Sequence, residues 1–345
     1  MEFHHPIVAA PMAGGPSSNE LARAVASTGA LGFLGGGNKT AQQIVEDYRS
    51  VADAGAVGVN LFVPDAANTA VDVAKSSAQR GEKLAAFREQ LMPFAERLGV
   101  ELPTVEQAGE DVSDDWDAKL EAAVEWPIVT FTFGLPAPAV FQRLHASDTQ
   151  VGVTITSVAE AHNAVAHGAD FLVVQGPEAG GHRSVHDPLG EPETLELPAL
   201  LDDVNAVVDV PFVAAGGIAT PEDVRDVLAH GASAASVGTA LLLSDEAGSN
   251  PVHRQMLQED RSGVTQLTRV YSGRVSRSLL NEFMSLTAPA VYPEVNALTV
   301  PIKRAAIQAR DPRSTHLFAG TGYLKAKTGP AAEIVEWLAG NRHKE

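Results

Sequence analysis

The stretch Phe171-Leu172-Val173-Val174-Gln175-Gly176-Pro177-Glu178-Ala179-Gly180-Gly181-His182-Arg183 decides the fold. A short apolar run that meets Gln, three glycines and a His reads as a buried strand emptying into a tight, ligand-facing loop. Glycine lets backbone N–H groups approach a ligand that a Cβ would hold off. The neighbouring His182 is the side chain suited to proton transfer near neutral pH. Two more glycine-bearing strand ends follow, at Val213-Ala214-Ala215-Gly216-Gly217-Ile218 and Ala235-Ser236-Val237-Gly238-Thr239. Three such ends in order, each followed by a helix-like segment, describe a phosphate-bearing cofactor held over a parallel barrel.

Working outward, short β-type runs alternate with helical patterns, the signature of βαβ units. Strands are expected at Ile7–Ala10, Leu31–Leu34, Val57–Phe62, Ile128–Phe131, Val151–Thr154, Phe171–Val174, Phe212–Ala215 and Ala235–Val237. Helices are expected between them, including Glu20–Ser27, Ala41–Ala52, Val158–His167 and Pro221–Ala229. Thr220 caps the last of these, with Pro221 at its first position. The reading is an α/β fold, a (β/α)8 TIM-type barrel with an added helical domain. Residues 1–63 and 126–245 form the barrel. Residues 64–125 are an acidic helical insertion, helical over Val73–Leu98, which is either a solvated excursion or a lid. Residues 246–345 are a helical extension packed on the barrel, with 317–345 returning to the active site and Ala331–Leu338 as its final helix.

Composition narrows the function. The 345 residues exceed the roughly 250 of a bare barrel, which leaves room for the insertion and extension. A formal charge of −18 argues against a nucleic-acid partner. The absence of cysteine removes disulfides, zinc–thiolate sites and thiol nucleophiles together. Residues Met1–Pro6 lack the basic and apolar regions of a signal peptide, and no apolar run approaches the roughly 20 residues of a membrane span. A cytoplasmic enzyme is the expected class.

In a barrel the C-terminal strand ends carry the chemistry. The first ends Ala9-Ala10-Pro11-Met12-Ala13-Gly14-Gly15-Pro16, which is either a plain tight turn or a close approach to a flat ring with Met12 as its apolar floor. Asn60 interrupts the third strand and Gln175 the exit of the sixth. Either is by itself compatible with a satisfied structural amide; two on one face favour a ligand with a heteroaromatic edge. Gly216, Gly217, Gly238 and Thr239 offer a phosphate cradle after the last two strands. Of eleven histidines, His182 stands out by its place after two glycines. His186 lies four residues on, a metal-binding spacing only on a helix, and this glycine-rich segment is a poor one, so no metal is expected. His4, His5 and His343 read as terminal surface residues. Tyr323 and Lys327 stand one helical turn apart, either as an exposed helix start or as two groups aimed into one site.

These segments together resemble the nitronate monooxygenase family. The likeness runs through Pro11-Met12-Ala13-Gly14, Gly58–Pro64, the Gln175–Arg183 string, Ala214–Ile218, Val237–Thr239, Tyr271-Ser272-Gly273-Arg274 and Ala319–Lys327. It implies FMN bound without a covalent link, and oxidation of alkyl nitronates by O2 to a carbonyl compound and nitrite. By position it implies cofactor contacts from Met12, Ala13, Asn60, Gln175, Gly180, Gly181, Gly216, Gly217, Gly238 and Thr239. It implies catalytic roles for His182, Tyr323 and Lys327. Where the family has glycine after His-Arg, this chain has Ser184, which leaves the loop's shape open.

A nitronate is already an anion, so a protonated His182 or Lys327 is the expected stabiliser. With a neutral nitroalkane, His182 becomes the base that takes the α-proton. Rival readings on the same barrel are an NAD(P)H:quinone reductase and an enoyl-[acyl-carrier-protein] reductase, the latter expected to carry Glu in place of Gln175. An inosine-monophosphate-dehydrogenase-like enzyme needs a cysteine nucleophile, which this chain lacks. A flavin-free barrel that binds a phosphorylated ligand is the alternative of another class. The partners expected are a small alkyl nitronate and O2, with no nucleic acid and no membrane; the oligomeric state is not legible.

Overall fold

The computed structural model describes residues 5–65, 80–109, 115–190 and 192–340. Eight parallel strands form one sheet: β1 (Ile7–Ala9), β2 (Gly32–Gly35), β3 (Val57–Phe62), β4 (Ile128–Thr132), β5 (Gln150–Ile155), β6 (Phe171–Gln175), β8 (Phe212–Ala215) and β9 (Ala234–Val237). Their order is β1-β9-β8-β6-β5-β4-β3-β2. A parallel bridge from Val8 to Leu31 joins the two ends, so the sheet closes as a (β/α)8 barrel. β7 (Gly181–His182) lies outside the barrel sheet.

Each strand shows one parity of residue to the helices and the other to the barrel axis. Val59, Leu61, Val129 and Phe131 join the core between strands and helices. The opposite parity supplies Phe33, Ile128, Phe171 and Val213, which plug the base of the barrel. Two glycines make room for that plug. A Cβ on Gly152 would stand 2.3 Å from the Phe171 ring, and one on Gly58 would stand 2.5 Å from Phe33. Further along the same parity the residues turn polar: Asn60, Thr130, Thr132, Thr154 and Gln175, all buried. The sequence therefore builds an apolar base and a polar mouth at the C-terminal strand ends.

Helix ends follow local chemistry. Ser18, Thr40, Ser157 and Thr220 each accept a hydrogen bond from the backbone of the first helical turn. The helices Val158–His167, Pro221–Ala229 and Ala331–Leu338 match their expected bounds, and Asn19–Ser27 and Ala41–Val51 do so within a residue. The insertion helix is seen over Arg80–Leu98; the expected stretch from Val73 to Gln79 lies outside the described residues, as do His4 and His343.

The described insertion is no free excursion. Leu84, Phe87, Leu91 and Phe94 form one core with Val270, Tyr271, Phe283, Val295, Leu298 and Ile302. The insertion and the C-terminal extension thus share a second apolar centre, apart from the barrel's. The extension is also not wholly helical. β10 (Thr265–Thr268) and β11 (Ser276–Leu279) pair antiparallel, and β11 pairs in turn with β7, matching Ser276 to His182. These strands escape a hydrophobic reading because Thr-Gln-Leu-Thr and Ser-Arg-Ser-Leu each carry a single apolar residue. No helix among the described residues is long and apolar enough to cross a membrane.

Candidate active site

The mouth of the barrel has three walls, each built from a strand end. The first is the polar layer. Asn60 donates through Nδ2 to Thr130 Oγ1 and Thr132 Oγ1, both at 2.9 Å. Thr132 continues the line to Thr154, with hydroxyls 3.2 Å apart. Gln175 turns out to fasten the loop that follows it. Its Nε2 donates to the His182 carbonyl at 3.0 Å, and its Oε1 accepts from the Ser184 N–H at 2.9 Å. Arg183, buried completely, adds hydrogen bonds to the Gln175 carbonyl and Oε1 and to the Gly176 carbonyl. Ser184 keeps φ out of the left-handed region, so the loop closes here without a glycine at that position.

The second wall is a set of unused donors on neighbouring strands. Among the described residues, the backbone N–H groups of Gly216, Gly217, Gly238 and Thr239 find no protein acceptor. All four residues are half-buried at adjacent strand ends, where their donors are open to an acceptor at the barrel mouth. Gly217 sits at φ +70°, a conformation that aims its amide in a way other residues rarely sustain. Thr239 Oγ1 accepts from the Gly320 N–H at 3.0 Å, which leaves its own proton to give. Met12 borders this cradle, since a Cβ on Gly238 would stand 3.6 Å from its sulfur; Ala13 rests on the backbone of Gly35. Gly180 is there for closeness: a Cβ would stand 2.4 Å from the Gly320 nitrogen. The returning segment at 318–321 is packed on the loop through this contact and the bond from Thr321 N–H to the Glu178 carbonyl.

His182 forms the third wall. Its Nε2 lies 2.6 Å from Ser272 Oγ, and its ring is flanked by Phe133 at 5.6 Å and Phe318 at 5.2 Å. Desolvation, with the positive charges of Lys303 and Arg274, pushes its pKa down to about 3. Burial and these neighbouring charges disfavour the imidazolium that an anion-holding His182 would need and favour the neutral ring. In its neutral form the ring is ready to act as a base, and an anion formed beside it would favour its protonation.

The positive charge comes from residues that carried no assigned role at the level of sequence. Arg274 is buried, lies 4.4 Å over the Phe133 ring and 5.2 Å from Tyr292, and pairs with Asp65 at 3.1 Å. Ser272 and Arg274 were visible only as part of a family string, because a Ser or Arg in a polar loop carries no distinctive periodicity. Tyr323 and Lys327 make their contacts elsewhere. The Tyr323 hydroxyl, in an apolar cluster with Leu242 and Leu257, accepts from the Gly263 N–H at 2.9 Å. Lys327 Nζ lies 3.6 Å from the centre of the Trp337 ring. The two share a cleft of about 440 Å3 with Leu243, Gln258 and Arg261, and His182 does not line it. His186 Nε2 bonds the Thr154 carbonyl at 3.0 Å, so its ring is held by the barrel wall.

Comparison with known proteins adds a consistent set of likenesses. The family model described as nitronate monooxygenase matches residues 1–341. A probable nitronate monooxygenase of Staphylococcus aureus (strain MSSA476) is 29% identical, the match covering 97% of this chain and 93% of that protein. The crystal structure of a nitroalkane oxidase from Streptomyces ansochromogenes superposes with a TM-score of 0.89 at 37% identity, covering 98% of this chain and 96% of that one. FabK from Thermotoga maritima, at 22% identity and TM-score 0.71 over 98% of this chain and 93% of its own, shares the fold.

Proposed function

The chain belongs to the nitronate monooxygenase family and is an oxidoreductase, and from that premise we propose that it oxidises alkyl nitronates with O2, using non-covalent FMN, to a carbonyl compound and nitrite. The observation that carries this reading is that four backbone donors without a protein acceptor and His182, held by Ser272, stand at one barrel mouth. Gly216, Gly217, Gly238 and Thr239 would hold the cofactor's phosphate. Asn60, Met12 and Ala13 would border its ring, and Gly180 and Gly181 would let the loop lie against it. When bound, FMN supplies the electron acceptor and the reaction with O2.

The protein's own part is to bind, orient and manage one proton. Phe133 and Phe318 exclude water from one side of His182. Ser272 holds Nε2, which fixes the plane of the ring. A nitronate brings its negative charge within the field of the buried Arg274 guanidinium, which it would share with Asp65, so binding is favoured before any chemistry. A neutral nitroalkane first gives its α-proton to His182, and the resulting imidazolium and nitronate stabilise each other. Tyr323 and Lys327, which the family resemblance made catalytic, are proposed instead to act from outside the mouth, because their contacts run to Gly263 and Trp337.

The quinone-reductase reading places the same cofactor on the same cradle and differs in the electron donor. The enoyl-reductase reading sits less well with Gln175, whose amide makes both a donor and an acceptor bond to the loop. A carboxylate there would lose the bond to the His182 carbonyl. The cofactor itself is tested by denaturation. Heat or acid should release a yellow supernatant that chromatographs as FMN. Colour that stays with the precipitate, FAD in the extract, or colourless protein would each count against the assignment.

A further inference from the structure

Lys303 lies on the helix Glu294–Gln308, outside the barrel. Its Nζ donates to the Tyr271 carbonyl at 2.9 Å and to Asn296 Oδ1 at 2.8 Å. Thr299, one turn earlier on the same helix, donates its hydroxyl to the same carbonyl at 2.7 Å. Tyr271 immediately precedes Ser272, whose hydroxyl holds His182, and stands three residues before Arg274, which lies over Phe133. One helix therefore grips, at a single carbonyl, the loop that presents both the histidine's partner and the buried guanidinium. Lys303 is also near enough to both His182 and His316 for its charge to act on them. Burial lowers its own pKa to about 7, helped by Arg304.

We propose that Lys303 is a positioning residue of the active site: it anchors the Tyr271–Arg274 loop behind His182 and supplies, without touching substrate, part of the positive field that holds an anion there. The proposal rests on the nitronate reading above. Among the described residues, the other charged or titratable groups around the histidine are Arg274, Asp65, His316 and His253. Arg274 stays cationic, with Asp65 as its partner, and His316 and His253 are neutral, their pKa values pushed by burial to about 3 and about 4. Phe133 and Phe318 carry no charge. Lys303 is thus the group whose charge disappears as pH rises through about 7. The sign follows: anion binding is strong below that pH, where the ammonium is charged, and weakens above it.

The test uses the FMN-loaded enzyme and propionate as probe, a planar two-oxygen anion of the shape of a small nitronate, with binding read by calorimetry from pH 5.5 to 9. In the wild type the Kd should rise about tenfold through pH 7. In Lys303→Met it should already be about tenfold weaker at pH 6 and flat with pH. In Lys303→Arg, which keeps a charge at every pH, binding should stay tight to pH 9. Turnover of a nitronate should follow in KM, with kcat much less changed. A Lys303→Met enzyme with wild-type affinity and the wild-type pH profile would overturn the proposal. Should that variant not fold, a Lys303→Arg enzyme that still loses affinity above pH 7 would overturn it as well. A wild type that binds propionate with this pH dependence but oxidises no nitronate would leave the proposal standing and refute the functional reading instead.

Discussion

His182→Asn should lower kcat/KM for a neutral nitroalkane by about 10²–10⁴-fold, the usual weight of a general base, while the protein keeps its FMN. Asparagine is close in reach and retains a polar tip, so Phe133, Phe318 and Ser272 keep a partner of similar size. The missing property is the capacity to take a proton. A preformed nitronate has no proton to give, so its turnover should fall far less, and the gap between the two substrates is the diagnostic quantity. The pH profile adds a second check. With the pKa of His182 at about 3, the base is already deprotonated well below neutrality. Activity on the neutral substrate should therefore show no acid limb near pH 6.5, the ordinary value for histidine. Equal and small losses on both substrates would make His182 a structural member of the loop.

Gly217→Val should weaken FMN retention by roughly 10–100-fold, the equivalent of about 1–3 kcal/mol of backbone strain. The mechanism is conformational first. At φ +70° a β-branched residue is a clear outlier, and its Cβ would stand 3.0 Å from the Glu178 Cβ. The chain relieves this by moving the Gly216–Gly217 turn, which takes two of the four free amides out of alignment with those of Gly238 and Thr239. Equilibrium titration of the apoprotein with FMN reads the loss, and circular dichroism establishes that the barrel is intact. A folded Gly217→Val protein with wild-type FMN affinity would remove the phosphate from this cradle.

Much of the architecture was legible because a barrel writes itself in a period. The strand Phe171–Gln175 is apolar on both faces until Gln175, the strand Ile128–Thr132 changes from Ile128 to Thr130 and Thr132 on the axis-facing parity as it reaches the mouth, and Val57–Phe62 places Asn60 on that parity. That change, more than the glycines alone, marks which end holds the site. The second centre was not legible. Leu84, Phe87 and Leu91 announce an amphipathic helix, but nothing local says that they pack against Leu298 and Ile302 more than 200 residues later in the chain. The small sheet of His182, Arg277 and Thr265 was hidden for a related reason: its strands are polar and are fixed by pairing, not by a hydrophobic face. The site divides in the same way. His182 and the glycines announce themselves by type and place. Arg274 and Lys303 act through burial and distance, which a linear pattern does not record. Gln175 stands out in the sequence because a buried amide needs partners, and its own loop supplies some of them, which no linear pattern shows.

The most direct measurement is anaerobic mixing of the FMN-loaded enzyme with an alkyl nitronate, followed by admission of O2. The flavin spectrum should be perturbed or bleached by the nitronate, and O2 should then yield nitrite over many turnovers, with NADH and NADPH reducing the enzyme slowly or not at all. Fast reduction by NADH or NADPH, sustained turnover of a quinone, and no nitrite from any nitronate would contradict the account and assign the barrel to quinone reduction.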